Sequence, residues 1–416
     1  MRTNWIMTVL AWGCFAVWTI GTAAAADDWP GWRGSQRDGH IANFTSPNAW
    51  PKALQRQWKI KVGDGHASPV VDRGTVFVFS REDEQEVVRA IKLSDGQQIW
   101  RESYPARYTM CPAARSHGKG PKSTPILANG RLVTLGISGI LSAWDTKTGK
   151  LLWQQEFAGK YKTTSPLYGT AMSPLVHAGN VVAHVGGQDG GTLAAFDLET
   201  GKPQWQWDGD GPGYASPILA TLEGVPQVIT QSQGKCIAVS AADGSLLWSM
   251  PFETPYVQNI VTPVVVDDLV VFSGINKGTT AYRLENSQGK WSPTQVWHND
   301  DISMYMTSPV AVNGSLFGLT PRKKGQFFCL DLKTGKTLWT SEGRMGDNAA
   351  VLCTENVVLA LTTGSELLAF KPSTEEFDLL ARYKVADSPT WAHPAIVGRQ
   401  VLVKDRTSLT VWSIPD

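Results

Sequence analysis

Cysteine is scarce in this 416-residue chain, and what the sequence lacks excludes several classes of protein. It has 5 cysteines, no two of them adjacent, and no Cys-x-x-Cys-His that would attach haem. Its 7 histidines have none of the short spacings of zinc sites. A Gly-x-Ser-x-Gly elbow is absent, and no pair of acids suits glycoside hydrolysis. The sequence therefore predicts neither a catalytic residue nor a metal ligand.

Charge is also sparse and balanced. Charged residues make up 18% of the chain, with 38 Lys and Arg against 37 Asp and Glu. A nucleic-acid-binding protein carries a clear excess of basic residues, so no nucleic acid partner is predicted.

One stretch of the sequence recurs along most of the chain. Residues 143–153 read Ala-Trp-Asp-Thr-Lys-Thr-Gly-Lys-Leu-Leu-Trp, and similar stretches lie at 90–100, 195–205, 238–248 and 329–339. Each has an apolar pair, a polar turn with glycine, and a strand that contains tryptophan. The spacing of roughly 40 to 55 residues is the period of propeller blades.

A second marker opens an apolar strand ahead of each copy. It is a serine or threonine before proline, at Ser68, Thr124, Ser173, Ser216, Thr262 and Ser308, with His393-Pro394 as the last. Asn348-Ala349-Ala350 stands where one further marker is expected, so the total is eight. In the third repeat, residues 173–177, 181–185, 192–197 and 203–207 predict four strands joined by tight turns. The sequence therefore predicts an all-β fold, an eight-bladed β-propeller of four-stranded antiparallel blades.

The last repeat is one strand short, and a lone strand with tryptophan lies near the start of the chain. Residues 57–62, which include Trp58, are expected to pair beside residues 409–414. An N-terminal strand then closes the last blade and removes an open edge. We expect the 18 tryptophans mainly to fill the space between blades, where the indole N–H can reach a backbone carbonyl.

The repeated pattern Ala-x-Asp-x-x-Thr-Gly-Lys-x-x-Trp, seen best at 143–153 and 195–205, resembles the repeat of the pyrroloquinoline quinone (PQQ) propeller superfamily. Residues 28–34 and 213–217 also resemble exported bacterial PQQ-like propellers. The superfamily includes quinoprotein alcohol dehydrogenases and the outer-membrane assembly lipoprotein B. The resemblance implies the fold, and it leaves function open because these branches do unrelated work.

The dehydrogenase branch implies a specific site. Its quinone lies between a tryptophan and a disulfide of adjacent cysteines, with calcium held by Glu, Asn and Asp and an Asp as base. This chain has no adjacent cysteines, and no carboxylate can be matched to those roles. No cofactor is therefore predicted, and PQQ with calcium is expected only under the alternative function given below.

The first 26 residues have the pattern of a secretory signal peptide. Arg2 precedes an apolar run over residues 6–20, and small residues at 22–26 suit a cleavage site near Ala26. A retained membrane anchor is the alternative. Residues 27–416 then form one exported or periplasmic propeller domain, of which 27–56 is an N-terminal extension. Four cysteines remain, Cys111, Cys236, Cys329 and Cys353, and they permit three disulfide pairings.

The loops that lead into the innermost strands are the predicted ligand site, because eight of them converge at one mouth of the channel. Their aromatic and polar residues suit a flat or sugar-like ligand, or they pack against the channel wall. A long basic connection at 101–122 could cover an anionic ligand, or it is a solvated loop. His177 and His184, on one predicted hairpin, could approach each other. The candidate residues are His66, Lys122, Tyr168, Tyr214, Tyr256, Tyr305, Asn348, Trp391 and His393.

Two functions follow from these observations. The first is an exported, non-enzymatic scaffold that binds a protein, a peptide or an envelope component at the channel mouth. We expect a monomer without a transmembrane span in the mature chain. The alternative is a PQQ-dependent oxidoreductase that acts on an alcohol or a sugar.

Overall fold

The computed structural model describes residues 28–415, and within them the chain forms eight four-stranded antiparallel sheets. The predicted eight-bladed β-propeller is confirmed. The predicted signal peptide at 1–26 lies outside the described residues. No helix within the described part is long and apolar enough to span a bilayer.

Each blade is one sheet, and strands are numbered along the chain from β1 (Gln55–Lys61). Blade 1 is β2 (Val70–Asp72), β3 (Thr75–Glu82), β4 (Gln85–Lys92) and β5 (Gln98–Pro105). Blade 2 is β6 (Ile126–Ala128), β7 (Arg131–Leu135), β8 (Leu141–Asp145) and β9 (Leu151–Gln155). Blade 3 is β10 (Leu175–His177), β11 (Asn180–Gly187), β12 (Gly190–Asp197) and β13 (Pro203–Trp207). Blade 4 is β14 (Ile218–Leu222), β15 (Val225–Gln231), β16 (Lys235–Ser240) and β17 (Leu246–Pro251).

The second half of the ring has the same order. Blade 5 is β18 (Val264–Val266), β19 (Leu269–Ser273), β20 (Thr279–Ser287) and β21 (Lys290–Asn299). Blade 6 is β22 (Val310–Val312), β23 (Ser315–Thr320), β24 (Gln326–Asp331) and β25 (Thr337–Thr340). Blade 7 is β26 (Ala349–Cys353), β27 (Val358–Thr362), β28 (Glu366–Phe370) and β29 (Leu379–Lys384). Blade 8 is β30 (Ala395–Val397), β31 (Gln400–Lys404), β32 (Ser408–Ser413) and β1. Short 3-10 helices lie at Pro112–His117, Pro255–Val257 and Arg322–Lys324.

The predicted closure of the ring by an N-terminal strand is confirmed. β1 pairs antiparallel with β32, so that Trp58 lies opposite Val411 and Lys61 opposite Ser408. The Lys404 ammonium adds a second link, because it donates to the carbonyls of Gly63 and Gly65. The strand β1 and the last strands of the described chain are therefore joined in one sheet, and β1 supplies the outermost strand of blade 8.

The apolar core lies between neighbouring blades. Phe77 and Trp100 of blade 1, for example, pack with Leu132 and Trp144 of blade 2 in one buried cluster. Similar clusters fill the next spaces around the ring. A single sheet could not bury both of its faces, so the blades stabilise one another.

The repeated sequence has a local structural reason, seen clearly in blade 3. Asp197 Oδ1 accepts hydrogen bonds from the Thr200 backbone N–H (2.8 Å) and hydroxyl (2.6 Å), which fixes the turn. Gly201 follows with φ +70° and lies against the indole of Trp153 from blade 2. The Trp153 indole N–H donates to Leu198 O of blade 3 at 2.9 Å.

Corresponding indole N–H bonds to a carbonyl of the next blade are made by Trp58, Trp100, Trp205, Trp297 and Trp339. Trp248 differs, since it donates to the Gln227 side chain of its own blade. The next blade, blade 5, lacks the repeated turn because β20 runs on to Ser287. The repeated sequence thus supplies a contact between consecutive blades, from the tryptophan of one blade to the turn of the next.

Candidate functional site

A cavity of about 260 Å³ opens where the loops leading into the innermost strands converge. Eight of the nine residues predicted for this mouth line it together: His66, Lys122, Tyr168, Tyr214, Tyr305, Asn348, Trp391 and His393. Tyr256 does not line it. The Tyr256 side chain is 77% exposed and lies in the turn Pro255–Val257 with φ 59°, while Gln258 of the same loop lines the cavity.

The rim of the cavity is held by a ring of hydrogen bonds that we call the hydroxyl belt. Between each pair of consecutive blades from blade 1 to blade 6, the backbone N–H of the serine or threonine before proline donates to the hydroxyl of the equivalent residue in the next blade. The five distances are 2.9 to 3.1 Å. The belt residues are Ser68, Thr124, Ser173, Ser216, Thr262 and Ser308. Each of them precedes a proline and lies two residues before the inner strand of its blade. The markers are therefore contacts between blades as well as strand signals.

The N-terminal extension closes the opposite end of the channel, which the sequence did not predict. It is attached to blades 1, 2 and 7 through a Trp29–Val71 bridge, a bond from Leu127 N–H to Pro30 O, and a bond from Ile41 N–H to Cys353 O. These contacts lie at the ends of inner strands that begin at the cavity. The cavity is therefore blind, with the extension as its floor.

Three side chains of the extension enter the channel. The Arg37 guanidinium donates to the carbonyls of Ser173 (2.9 Å), Pro174 (2.8 Å) and Pro217 (3.1 Å). Arg33 Nη2 donates to the carbonyls of Asp38 and Pro309. Trp32 lies between these arginines and the cavity, with its ring centroid 5.4 Å from Arg33 Cζ and 5.9 Å from Arg37 Cζ. Burial lowers the pKa of Arg33 to about 10 and of Arg37 to about 9, so both are charged at neutral pH.

Aromatic rings form two separate parts of the wall. The ring centroids of His117 and Trp391 are 4.6 Å apart, and His66 lies 5.8 Å from His117. On another side, the rings of Tyr168 and Tyr214 are 5.8 Å apart. Tyr305 and Met306 lie in the loop of blade 6. Such walls present flat apolar faces with polar edges.

The basic connection before blade 2 contributes to this wall instead of standing free of it. Ala113, Ala114 and His117 of its 3-10 helix line the cavity, as does Lys122 at its end. Arg101, which lies in β5, and Lys119 point elsewhere, because they pair with Glu82 and Glu84 at the surface. His117 was not among the predicted site residues. Its position in the long basic connection was the sequence feature that could have indicated it.

Lys122 is the one cation among the residues that line the cavity within 28–415. Its Nζ donates to Tyr168 O at 2.5 Å, and burial lowers its pKa to about 8. Desolvation by burial, and next the charge of Lys404, hold the pKa of His66 well below its usual value. Burial, with a smaller effect of Arg33, lowers the pKa of His393 to about 3. At neutral pH these imidazoles are uncharged and Lys122 is mostly charged.

No carboxylate is present among the cavity-lining side chains of the described region. The same region contains no group of three or more His, Cys, Asp or Glu side chains that could hold a metal ion. Its cysteines, Cys111, Cys236, Cys329 and Cys353, are free thiols. His177 pairs with Asn180, whereas His184 lies opposite Leu193 and contacts Asp210 O, so this hairpin does not bring the two imidazoles together.

Comparison with known proteins gives two kinds of relative. Outer membrane protein assembly factor BamB of Yersinia pestis is 26% identical over 214 residues, which cover 49% of this chain and 52% of that protein. Quinohemoprotein alcohol dehydrogenase ADH-IIG of Pseudomonas putida is 22% identical over 362 residues, which cover 81% of this chain and 41% of that protein. The chain thus spans about half the length of these two relatives.

The crystal structure of quinohemoprotein alcohol dehydrogenase from Comamonas testosteroni has the same fold, with a TM-score of 0.67 at 16% identity. The match covers 94% of this chain and 81% of that one. A family model described as outer membrane protein assembly factor BamB matches residues 83–341. Because that match includes more than half of the 416 residues, and the blades it covers have the repeat described above, the chain belongs to this family of PQQ-like eight-bladed propellers.

Proposed function

We propose that this protein is an exported binding propeller, not an enzyme, and that its ligand or partner engages the blind central cavity. The observation that carries the proposal is the convergence of side chains from the blade loops on one cavity with aromatic walls. Concave, mostly apolar sites with a few polar groups are the usual binding sites of proteins. The predicted signal peptide supports export.

The family supports a partner in the cell envelope, because it is the family of an outer membrane protein assembly factor. A protein, a peptide or another envelope component fits this description. Capture from an envelope extract tests the proposal. Wild-type protein is compared with Tyr305→Ala and Trp391→Ala, which alter the cavity, and with Tyr256→Ala, a matched control because Tyr256 is exposed outside it.

We expect both cavity variants to lose the partner and Tyr256→Ala to keep it. Circular dichroism checks that all three variants fold. If the cavity variants retain the partner, binding is at the blade edges and the proposed role of the cavity is wrong.

The alternative is a PQQ-dependent oxidoreductase, which the quinohemoprotein relative supports. The residues of the cavity do not fit calcium-bound PQQ. Calcium takes about six to eight oxygen ligands, among which carboxylates are prominent. The described lining offers the amide oxygens of Gln258 and Asn348 and several hydroxyls, without a carboxylate.

A titration with PQQ and calcium separates the two functions. We expect no tight uptake and no dye-linked oxidation of alcohols or sugars. Stoichiometric uptake with oxidation would establish the enzyme instead.

A further inference from the structure

A buried thiol lies beneath the N-terminal extension, outside the central cavity. Cys353 is the last residue of β26; it is fully buried and does not line the cavity. The extension is bonded to its backbone, since Ile41 N–H donates to Cys353 O and Cys353 N–H donates to Gly39 O, both at 2.8 Å. His40, between these two residues of the extension, forms a parallel bridge with Cys353. The backbone therefore fixes His40 beside the residue that carries the thiol.

The His40 side chain links this thiol to a carboxylate. The His40 ring Nδ1 lies 3.2 Å from Asp38 Oδ2, and the His40 backbone N–H donates to Asp38 Oδ1 at 2.8 Å. Hydrogen bonds of the ring with Asp38, and next with the Cys353 side chain, raise the pKa of His40 to about 10. At neutral pH the ring is therefore an imidazolium, which can give a proton to an oxygen atom close to the sulfur.

A buried guanidinium near the thiol lacks a full set of partners. Arg33 is 1% exposed, and its Nε and Nη1 have no hydrogen-bond partner within residues 28–415. Burial lowers the pKa of Arg33, and the nearby side chains of Asp38 and Cys353 partly offset this effect. The Asp38 carboxylate is already bound by the backbone and ring of His40. Because a buried cation without an anion is costly, a negatively charged oxygen formed at Cys353 would be stabilised.

The two other buried thiols of the described chain have different surroundings. Cys236 is 1% exposed and Cys329 is fully buried, so their depth matches that of Cys353. Burial raises the pKa of the Cys236 thiol well above its usual value, and that of Cys329 to about 11. No cation is among the described groups that act on either thiol. Among these three thiols, only Cys353 combines burial with two neighbouring cations.

We propose that Cys353 is a peroxide-sensitive thiol, oxidised to a sulfenic acid between His40 and Arg33. This inference goes beyond the proposed function and does not depend on it. The sulfur attacks one oxygen of hydrogen peroxide and the O–O bond breaks, so that the sulfur is oxidised by two electrons and the peroxide is reduced. The leaving hydroxide takes a proton from His40 and departs as water, and His40 regains the proton of the thiol. The products are the sulfenic acid and one water molecule.

The surroundings of the thiol suit this product. Arg33 Nε and Nη1 are donors without a described partner, and a guanidinium binds anionic oxygens strongly. The oxygen added to the sulfur therefore finds donors that the thiol leaves unused. Hydrogen peroxide is little larger than water, so it reaches Cys353 when the two backbone bonds to the extension open locally.

The four thiols of the described chain can be compared in one experiment. The full mature chain is treated with hydrogen peroxide, the reaction is stopped with catalase, and the protein is unfolded in an alkylating reagent. Peptide mass spectrometry then gives the thiol that remains at each cysteine over time. We expect Cys353 to react about ten- to hundredfold faster than Cys236 and Cys329, which is the range of a charge-assisted hydrogen bond. Cys111, which is partly exposed, shows the rate of a thiol open to solvent.

His40→Gln and Arg33→Met test the two neighbours of the thiol. Each should slow the oxidation of Cys353 by about tenfold or more and leave the two other buried thiols unchanged. His177→Gln, a change at the end of β10, is the matched control and should leave the rate intact. A variant that only loosens the fold has the opposite effect, because it speeds the oxidation of buried thiols. If Arg33→Met does not fold, His40→Gln decides, since the bridge to Cys353 uses only the His40 backbone.

Two results would overturn the inference. Equal rates at Cys353, Cys236 and Cys329 would show that burial alone sets the reactivity of these thiols. A faster rate at Cys353 that stays the same in both variants would show that access, and not the neighbouring cations, makes it reactive. Neither result bears on capture from an envelope extract, so the proposed function is decided separately.

Discussion

Replacement of Gly201 by alanine tests whether the tryptophan contact between blades stabilises the ring. Gly201 has φ +70°, and an added Cβ would lie 2.6 Å from Cδ2 of Trp153. Such a contact forces the indole away from blade 3. Gly179, in the same blade, has φ +78° with no atom within 4 Å of an added Cβ, so it is a matched control.

The expected difference follows from these two positions. Alanine at positive φ costs about 1–2 kcal/mol at either glycine. At Gly201 the displaced Trp153 also loses its bond to Leu198 O and part of its burial, which adds about 2–4 kcal/mol. We therefore expect Gly201→Ala to lower the free energy of unfolding by about 3–6 kcal/mol in total, and Gly179→Ala by about 1–2 kcal/mol.

Urea denaturation followed by circular dichroism measures both variants. A double-mutant cycle with Trp153→Ala identifies the cause, because the truncated side chain removes the Cγ, Cδ2 and Cε3 atoms that the added methyl group would meet. In that background Gly201→Ala should cost little more than Gly179→Ala. Equal costs of the two glycine variants in the wild-type background would refute the reasoning.

Three further results are expected. Arg37→Met leaves three channel carbonyls without donors and should lower the free energy of unfolding in urea by about 2–4 kcal/mol, whereas the exposed control Arg56→Met should change it by less than about 0.5 kcal/mol. A protein that starts at Val62 lacks β1 and the extension, and its calorimetric thermal midpoint should fall by on the order of 10 °C; an unchanged midpoint would contradict the closure of blade 8. Hydrogen bonds from Thr200 lower the pKa of Asp197, so its contribution to stability is present above the usual carboxyl pKa and is lost as pH falls through the lowered value. Thr200→Val should therefore make the thermal midpoint less sensitive to acid than in the wild type, and equal sensitivity would count against the turn bond.

Most of the fold could be predicted because its information is local. In blade 3, Asp197 fixes its own turn, and Gly201 of that turn contacts Trp153 of the preceding blade. Because these contacts are made within one turn or between consecutive blades, the regular spacing of the residues in the sequence indicates one blade after another. The closing strand could be recognised for the same reason, since Trp58 carries the contact without the rest of a repeat. Blade 7 has Ala381 where the other blades have tryptophan, and the pattern of the other strands sufficed to count it.

The grouping of the candidate residues around one cavity was predicted in part. Eight of the candidate side chains lie in the cavity because the loops before the inner strands must converge there. The direction of Tyr256 depends on a backbone turn with φ 59°, which the residue type does not reveal. Trp32 and Arg37 belong to a segment without repeats, and their place depends on how that segment packs against the finished ring. The sequence feature that could have indicated their role is the close succession of Trp32, Arg33 and Arg37 in a chain with few charged residues.

The hydroxyl belt has a consequence for how such a ring can change its size. Each step needs a donor from one blade and a side-chain oxygen from the next, always in the same sense. Because a duplicated blade would carry both halves of this link, we expect a blade inserted between two of the first six to preserve the belt. Blades 7 and 8 lack this link, because Asn348 and His393 stand in place of the serine or threonine. We therefore expect gain or loss of whole blades to be confined to blades 1 to 6.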